Sequence, residues 1–171
     1  MESYNARKRP VIELPWTTSE KILEFIGILA LCTSFFLLAR YWSMLPDKIP
    51  THFNFAGRPD GWGGKESLFM LPVLGTFMYI IMRLLSKYPQ IYNYPVEITE
   101  KNAASQYLLG RKVINWLRTL VVILFGYLEW KSINVALGNS AGLGAWFIFA
   151  VLALTLILPI LYIMKARANK A

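Results

Sequence analysis

The sequence predicts an all-α membrane protein, a four-helix transmembrane bundle with a short extended or hairpin extracytoplasmic cap between the first two spans. Composition is the first reason. Of 171 residues, 56% are hydrophobic and only 16% are charged, more apolar material than a soluble domain of this size buries. The second reason is that four apolar stretches each approach the roughly 17–25 residues that a helix needs to cross a bilayer.

The four predicted spans lie at about residues 22–39, 68–85, 113–130 and 144–164. They divide the chain into an N-terminal arm (1–21), a membrane domain (22–164) and a C-terminal tail (165–171). Within the membrane domain, an outer loop (41–67) joins the first two spans and an inner loop (86–112) joins the second and third. Pro159 predicts a kink in the fourth span.

The distribution of lysine and arginine predicts the orientation, because cytoplasmic loops carry an excess of both. Twelve basic residues flank one side of the predicted spans: Arg7, Lys8, Arg9, Lys21, Arg83, Lys87, Lys101, Arg111, Lys112, Lys165, Arg167 and Lys170. The other side has five: Arg40, Lys48, Arg58, Lys65 and Lys131. Both termini are therefore predicted to be cytoplasmic. The net charge of +8 comes from basic residues that lie between the apolar stretches, as in proteins whose charges flank a lipid bilayer. No nucleic-acid partner is therefore expected.

The outer loop is the most patterned segment. Pro46 and Pro50 keep its first part extended and prevent the first helix from continuing. Residues 51–55 then alternate, which predicts a short strand with Phe53 and Phe55 resting on the bundle or the lipid interface. His52 and Asn54 would face water or a ligand. Residues 57–61 place Pro, Asp and Gly as a type I turn requires.

Four residues of this loop are candidates for ligand binding: His52, Asn54, Asp60 and Trp62. Three interpretations of the polar members stay open, namely structural hydrogen bonding, binding of a ligand or peptide, and binding of a metal. One imidazole with one carboxylate and one amide is a thin metal site by the usual ligand rules. We therefore expect no metal and no other cofactor.

Two motifs carry a family resemblance. The first is residues 45–54, then Gly57, residues 59–63 and Lys65; the second is residues 93–102 followed by Gln106 and Tyr107. Together they resemble a bacterial membrane family of unknown function, DUF1648, the module that opens the SdpI-type immunity proteins, which protect producer cells from a secreted toxic peptide. The motif positions are Pro46, Pro50, Gly57, Pro59, Gly61, Gly63, Lys65, Tyr94, Pro95, Thr99, Asn102 and Tyr107. The resemblance implies the bacterial inner membrane, and a role in immunity or signalling.

Ionisable residues inside the predicted spans form a second group of candidates, because such groups usually have a reason to be there. One stripe of the third span should face the bundle and not lipid; it comprises Asn115, Arg118, Val122 and Glu129. Glu24 lies at a matching depth in the first span and is predicted to pair with Arg118. A structural ion pair, snorkelling of Arg118 to the headgroups, and a proton or substrate pathway are the alternatives.

The inner loop combines tyrosines with basic residues. Thr99 could N-cap a helix that runs on towards the third span. The tyrosines suit an interfacial segment, and Lys101, Arg111 and Lys112 suit anionic lipid headgroups. The alternative is that a cytoplasmic protein docks on this loop.

No catalytic constellation is visible, since the chain has one histidine and no phosphate-cradling glycine loop, and we expect no enzyme. Three functions remain. The outer cap could recognise a peptide toxin or an envelope ligand; protection of toxin-sensitive cells would favour this. The chain could be a small transporter or transporter subunit, for which flux that depends on Arg118 would be the sign. It could also be a structural or assembly protein, which partner capture would indicate.

Overall fold

The computed structural model describes residues 9–169. The first eight residues of the arm, with Arg7 and Lys8, and the last two of the tail, with Lys170, lie outside this range. In chain order, the regular elements are α1 (Thr18–Tyr41), β1 (Lys48–Phe53), β2 (Pro59–Gly64), α2 (Met70–Leu85), α3 (Ala103–Ala136) and α4 (Trp146–Ala168). Short 3₁₀ turns cover Trp42–Met44, Lys65–Phe69 and Pro89–Ile91.

Three of these helical segments are long and apolar enough to cross a membrane by length and composition: Thr18–Met44, Lys65–Leu85 and Trp146–Ala168. They correspond to the first, second and fourth predicted spans. α3 is not among them, so the four-span bundle is not confirmed as predicted. α3 is nevertheless the longest helix, at 34 residues, and extends beyond the predicted third span at both ends.

α3 lies against both α1 and α2. It runs parallel to α1, because Glu20 near the start of α1 bonds Arg111, while Ser34 farther along α1 bonds Glu129. α2 runs the opposite way, with Arg83 near its end bonded to Glu24 of α1. We call the end that holds the N-terminal arm the inner end, and the end that holds β1 and β2 the outer end.

α4 packs more loosely than the other helices. The most apolar part of the helix contains no buried residue, and Ala166, near its end, is its single buried residue. Its first turn stacks on Tyr127 of α3 through Phe147, with ring centroids 5.2 Å apart. Near its other end, the Ala166 carbonyl accepts a hydrogen bond of 2.9 Å from Gln106. The helix continues through Pro159.

The predicted cap is an antiparallel hairpin of β1 and β2. Ile49 of β1 is 1% exposed and packs with Leu38, Leu68 and Ile133 of the helical segments, so the hairpin closes the outer end of the bundle. The position of the turn was predicted wrongly. The chain reverses at residues 54–58, where the Gly57 N–H bonds the Asn54 carbonyl at 2.8 Å, and Pro59, Asp60 and Gly61 belong to β2.

Candidate functional site

The inner end is organised by a buried ion pair. Arg111 donates two hydrogen bonds to the Glu20 carboxylate, at 2.7 and 3.0 Å, and two more to the carbonyls of Leu14 and Pro15. Glu20 also forms the capping box that begins α1 together with Thr17, the N-cap residue. Asn115 donates a hydrogen bond of 3.1 Å to the Glu20 carboxylate. Arg111 was therefore assigned wrongly to the lipid headgroups. It is buried because its donors are satisfied inside the protein.

The predicted pairing of Arg118 with Glu24 is present. The Arg118 guanidinium is fully buried, bonds the Glu24 carboxylate and lies 4.6 Å from the centre of the Tyr79 ring. Glu24 also accepts a bond of 3.0 Å from Arg83, which the sequence did not indicate as a partner. Two arginines thus share one carboxylate. Arg118 does not snorkel, since its side chain is completely covered.

Glu129 has a different environment farther towards the outer end. Its side chain is fully buried, and Ser34 of α1 donates a hydrogen bond to its Oε2. Its Oε1 has no hydrogen-bond partner within residues 9–169. Asn115, Arg118, Val122 and Glu129 are all buried, so the predicted stripe does face the bundle.

The inner-loop motif holds the N-terminal arm in place. Tyr94 and Tyr107 are buried, and their hydroxyls donate to the carbonyls of Pro89 (2.9 Å) and Pro10 (3.0 Å). Burial raises the pKa of Tyr94 and raises that of Tyr92 to about 12, so both hydroxyls remain hydrogen-bond donors. The prediction that these tyrosines form a lipid-facing segment is wrong for Tyr94 and Tyr107.

The start of α3 was placed slightly wrongly. Thr99 and Asn102 form reciprocal bonds, from the Thr99 N–H to the Asn102 side chain at 2.9 Å and from the Asn102 N–H to the Thr99 hydroxyl at 3.3 Å. The helix itself begins at Ala103, with Asn102 in the N-cap position. Thr99 therefore stabilises the turn that enters the helix. Pro95 lies in a half-buried bend just before that turn.

His52 and Asp60 meet across the outer hairpin. His52 Nδ1 lies 2.5 Å from Asp60 Oδ1, and the two side chains are 72% and 43% exposed. Gly61 stands opposite His52 in the strand pairing, and a Cβ there would come within 2.8 Å of the His52 Cβ. A Cβ at Gly63 would likewise come within 2.9 Å of the Thr51 Cγ2. These two motif glycines let the strands approach closely enough for the imidazole and carboxylate to meet.

Asn54 has a structural role in the turn. Its side-chain oxygen accepts hydrogen bonds from the N–H groups of Ala56 (3.0 Å) and Arg58 (3.1 Å). Those bonds use both lone pairs of the amide oxygen, which leaves it unsuited to coordinate an ion. Residues 9–169 contain no group of three or more His, Cys, Asp or Glu side chains placed to hold a metal. The groups that the hairpin could still offer to an ion are therefore the His52 imidazole and the Asp60 carboxylate.

The base of the hairpin is tied to the helices by Lys65. Its N–H donates to the Asp47 carbonyl at 3.0 Å, and its ammonium lies 5.3 Å from the Trp42 ring centre. Pro50 is buried within β1, whereas Pro46 is exposed just before the strand. The motif prolines and Lys65 therefore set how the hairpin leaves α1 and enters α2.

The hairpin tip docks on the loop between α3 and α4. The Leu143 N–H donates to the Gly57 carbonyl at 2.7 Å, and the Tyr127 hydroxyl donates to the Leu143 carbonyl at 2.8 Å. Gly57 has a φ of 72°, a conformation that favours glycine. The backbone of the tip is thereby joined to a cluster of aromatic side chains at the start of α4, formed by Tyr127, Trp146 and Phe147.

This docking creates a cleft of about 300 Å³. Its walls comprise His52, Phe53, Asn54, Phe55, Gly57, Asp60, Leu143, Phe147 and Ile148. Three of the four predicted ligand candidates line it, whereas Trp62 does not. Phe55 was predicted to rest on the bundle or the lipid interface. Its side chain lines the cleft and is 88% exposed, so it does not rest on the bundle, and the lipid interface stays a prediction.

Leu143, Phe147 and Ile148 were missed by sequence reasoning. They stand about ninety residues from the hairpin, and no local pattern brings them to it. The apolar residues that follow Trp146 predict a membrane span and do not indicate a contact with the hairpin. Positive φ angles at Gly142 and Gly144 shape the loop, but in the sequence those glycines indicate a turn and not what the turn contacts.

Long apolar helices around buried ion pairs define a multi-pass membrane protein. Residues 28–76 match the sequence profile of the family described as "Domain of unknown function (DUF1648)". The matched segment includes most of α1, the whole hairpin and the first part of α2. The predicted resemblance to DUF1648 is confirmed over these residues, and the chain carries this domain. The link to SdpI-type immunity proteins stays a prediction.

A curated protein of Archaeoglobus fulgidus, named "Uncharacterized protein", is 30% identical to this chain over 89 residues. The alignment covers 47% of this chain and 49% of the relative. The chain thus spans about half the length of the curated relative that it matches. No solved structure matches the chain.

Proposed function

We propose that this protein acts in the bacterial cell membrane as an SdpI-like binding protein, for immunity or signalling, which recognises a peptide or envelope ligand through its outer hairpin. One observation carries the proposal: the cleft between the hairpin tip and the α3–α4 loop. It joins an exposed His52–Asp60 pair to apolar walls that include Phe55 and Phe147. An apolar concavity with a few polar groups is the usual form of a ligand site.

The proposed topology has four crossings, with both termini in the cytoplasm and the hairpin outside. α3 supports it, because the helix lies beside two membrane-length helices and, at 34 residues, measures about 50 Å. Its polar side chains lower its hydropathy, yet Gln106, Arg111 and Arg118 are buried against other helices. Arg9 and Lys21, the basic residues of the arm that the structure describes, lie at the inner end, which agrees with the positive-inside rule.

The chemistry of the cleft limits its ligand. A volume of about 300 Å³ lies at the lower limit for ligand pockets, which suits one or two side chains of a peptide. Phe53, Phe55 and Phe147 would contact an apolar group. With Asp60 holding Nδ1 of the imidazole, Nε2 of His52 forms no hydrogen bond to the described residues and is available to a polar group of the ligand.

The test is protection of cells that are sensitive to a secreted membrane-active peptide toxin. Cells that express the chain should survive a dose that kills cells with an empty vector. Phe55→Ala and His52→Ala should each lower the tolerated dose at least about tenfold, the effect of losing roughly 1.4 kcal/mol of binding.

Trp62→Ala is the matched control. Trp62 is an aromatic residue of the same hairpin, 55% exposed, that lies outside the cleft. It should protect as well as the wild type, provided that all variants reach the membrane equally. Absence of protection by the wild type, or equal losses for Phe55→Ala and Trp62→Ala, would overturn the assignment of the cleft.

A further inference from the structure

Glu129 differs from the other two carboxylates that are held between the helices. Glu20 bonds Arg111, and Glu24 bonds both Arg118 and Arg83. Glu129 receives one hydrogen bond, from the neutral hydroxyl of Ser34, and its Oε1 is buried without a partner within residues 9–169. It forms no ion pair there.

The buried residues one or two turns from Glu129 on α3 are apolar except for Ser132. Ile133, one turn towards the outer end, packs with Leu38 and with Ile49 of the hairpin, so an apolar cluster lies between Glu129 and the outer end. Val122, two turns towards the inner end, is 2% exposed. The hairpin and the helices thus enclose the carboxyl, with Ser34 as its one hydrogen-bond donor in the described structure.

The cations near this level of the bundle bond elsewhere. Lys131 donates to the Ser140 hydroxyl at 3.2 Å, and the Arg40 guanidinium lies 5.5 Å from the Tyr41 ring centre. Arg118 is eleven residues away on α3, about 16 Å along the axis. None of the charged or titratable side chains on the neighbouring elements forms a hydrogen bond or ion pair with Glu129. These side chains are Glu20, Lys21, Glu24, Cys32, Arg40 and Tyr41 on α1; Asp47, Lys48, His52, Arg58, Asp60, Lys65 and Glu66 in and beside the hairpin; Tyr79 and Arg83 on α2; Tyr107, Arg111, Lys112, Arg118, Tyr127 and Lys131 on α3; and Tyr162, Lys165 and Arg167 on α4.

An isolated carboxylate in such a place takes up a proton, because burying the unpaired charge costs far more than neutralising it. We propose that Glu129 is a proton-binding site, which holds one proton at neutral pH as a carboxylic acid hydrogen-bonded to Ser34. The proton comes from water and adds to a carboxylate oxygen, so the side chain becomes neutral. This inference is independent of the ligand proposed for the hairpin.

A proton suits this site better than a metal cation. Hard cations such as Ca²⁺ take six to eight oxygen ligands, and Mg²⁺ requires an octahedral set. Glu129 and Ser34 offer one carboxylate and one hydroxyl within an apolar enclosure. Two oxygens of the carboxyl and one of the hydroxyl are enough to bind a proton.

Infrared difference spectroscopy on the full-length protein in lipid nanodiscs tests the proposal directly. The spectrum of the wild type minus that of Glu129→Gln should contain the carbonyl band of a protonated carboxylic acid at neutral pH. Glu24→Gln is the matched control and should leave that band in place, since Glu24 is paired with arginines. Glutamine imitates the neutral acid, so Glu129→Gln should also unfold at nearly the wild-type temperature.

A hydrophobic carbodiimide gives a second readout. It reacts with protonated carboxyls, the acid proton moving to a carbodiimide nitrogen while the carboxyl oxygen bonds the central carbon. Peptide mapping should find the adduct on Glu129, and its yield should fall as the pH rises. Absence of the acid band from the wild-type spectrum would overturn the proposal. So would protection from labelling by Na⁺, which would indicate a cation site.

Discussion

The two ends of the bundle each hold a carboxylate against a basic side chain, with similar geometry and opposite burial. His52 and Asp60 are 2.5 Å apart at the outer end and largely exposed. Arg111 and Glu20 are 2.7 Å apart at the inner end, with side chains 6% and 0% exposed. An exposed pair contributes little to stability, whereas removing one member of a buried pair leaves a charge without compensation. Similar contacts therefore hold the fold at one end and leave polar groups accessible at the other.

The largest effect should come from breaking the inner pair. Arg111→Leu leaves the Glu20 carboxylate buried and removes the donors to the Leu14 and Pro15 carbonyls. We expect the free energy of unfolding to fall by about 3–5 kcal/mol, measured by denaturant titration in micelles. Lys112→Leu, at the next residue, should change it by less than about 1 kcal/mol. Equal losses would show that the buried pair has no special role.

An intermediate effect should follow from loosening the hairpin tip. Gly57→Ala places a side chain at a φ of 72° and brings its Cβ within 2.9 Å of the Gly144 carbonyl oxygen. Gly138→Ala, at a φ of 75° with open space around it, should cost about 1–2 kcal/mol from the backbone alone.

The Gly57 variant should lose more stability than the Gly138 variant, because it carries the clash as well. It should also speed hydrogen exchange at the Leu143 N–H, which bonds the Gly57 carbonyl. Equal unfolding free energies and unchanged exchange at Leu143 would mean that the tip is not held by this contact.

The smallest effect on stability should come from the outer pair. His52→Ala or Asp60→Asn should lower the unfolding free energy by less than about 1 kcal/mol, because water and salt screen an exposed pair. The same titration at low and high salt measures this. A loss as large as that of Arg111→Leu would remove the contrast between the two ends and make the His52–Asp60 pair structural.

The sequence predicts most of the secondary structure, because apolar runs and strand alternation are local signals. It predicts the pairing of Glu24 with Arg118 as well, because both lie at the same depth in helices that start on the same side. The first ten residues of α3 were not predicted by hydropathy, since Gln106 and Arg111 are polar residues buried against partners. Glu20 was missed although Thr17 stands three residues before it, the spacing of a capping box.

The candidate site is less predictable than the helices. Alternation correctly indicates a strand at His52, but the misplaced turn hid the pairing with Asp60, because register depends on where the chain reverses. The far wall of the cleft, with Phe147, depends on how α4 packs. That packing is a tertiary contact between segments far apart in the chain, so the sequence of the hairpin segment does not predict it.

The loose attachment of α4 has a consequence for the membrane around it. The helix is anchored near its ends, by Phe147 against Tyr127 and by Ala166 against Gln106, while its central turns stay uncovered. Acyl chains, and not side chains, then complete the packing beside its middle. We therefore expect bilayer thickness and chain order to set the tilt of α4 and, through Phe147, the width of the outer cleft.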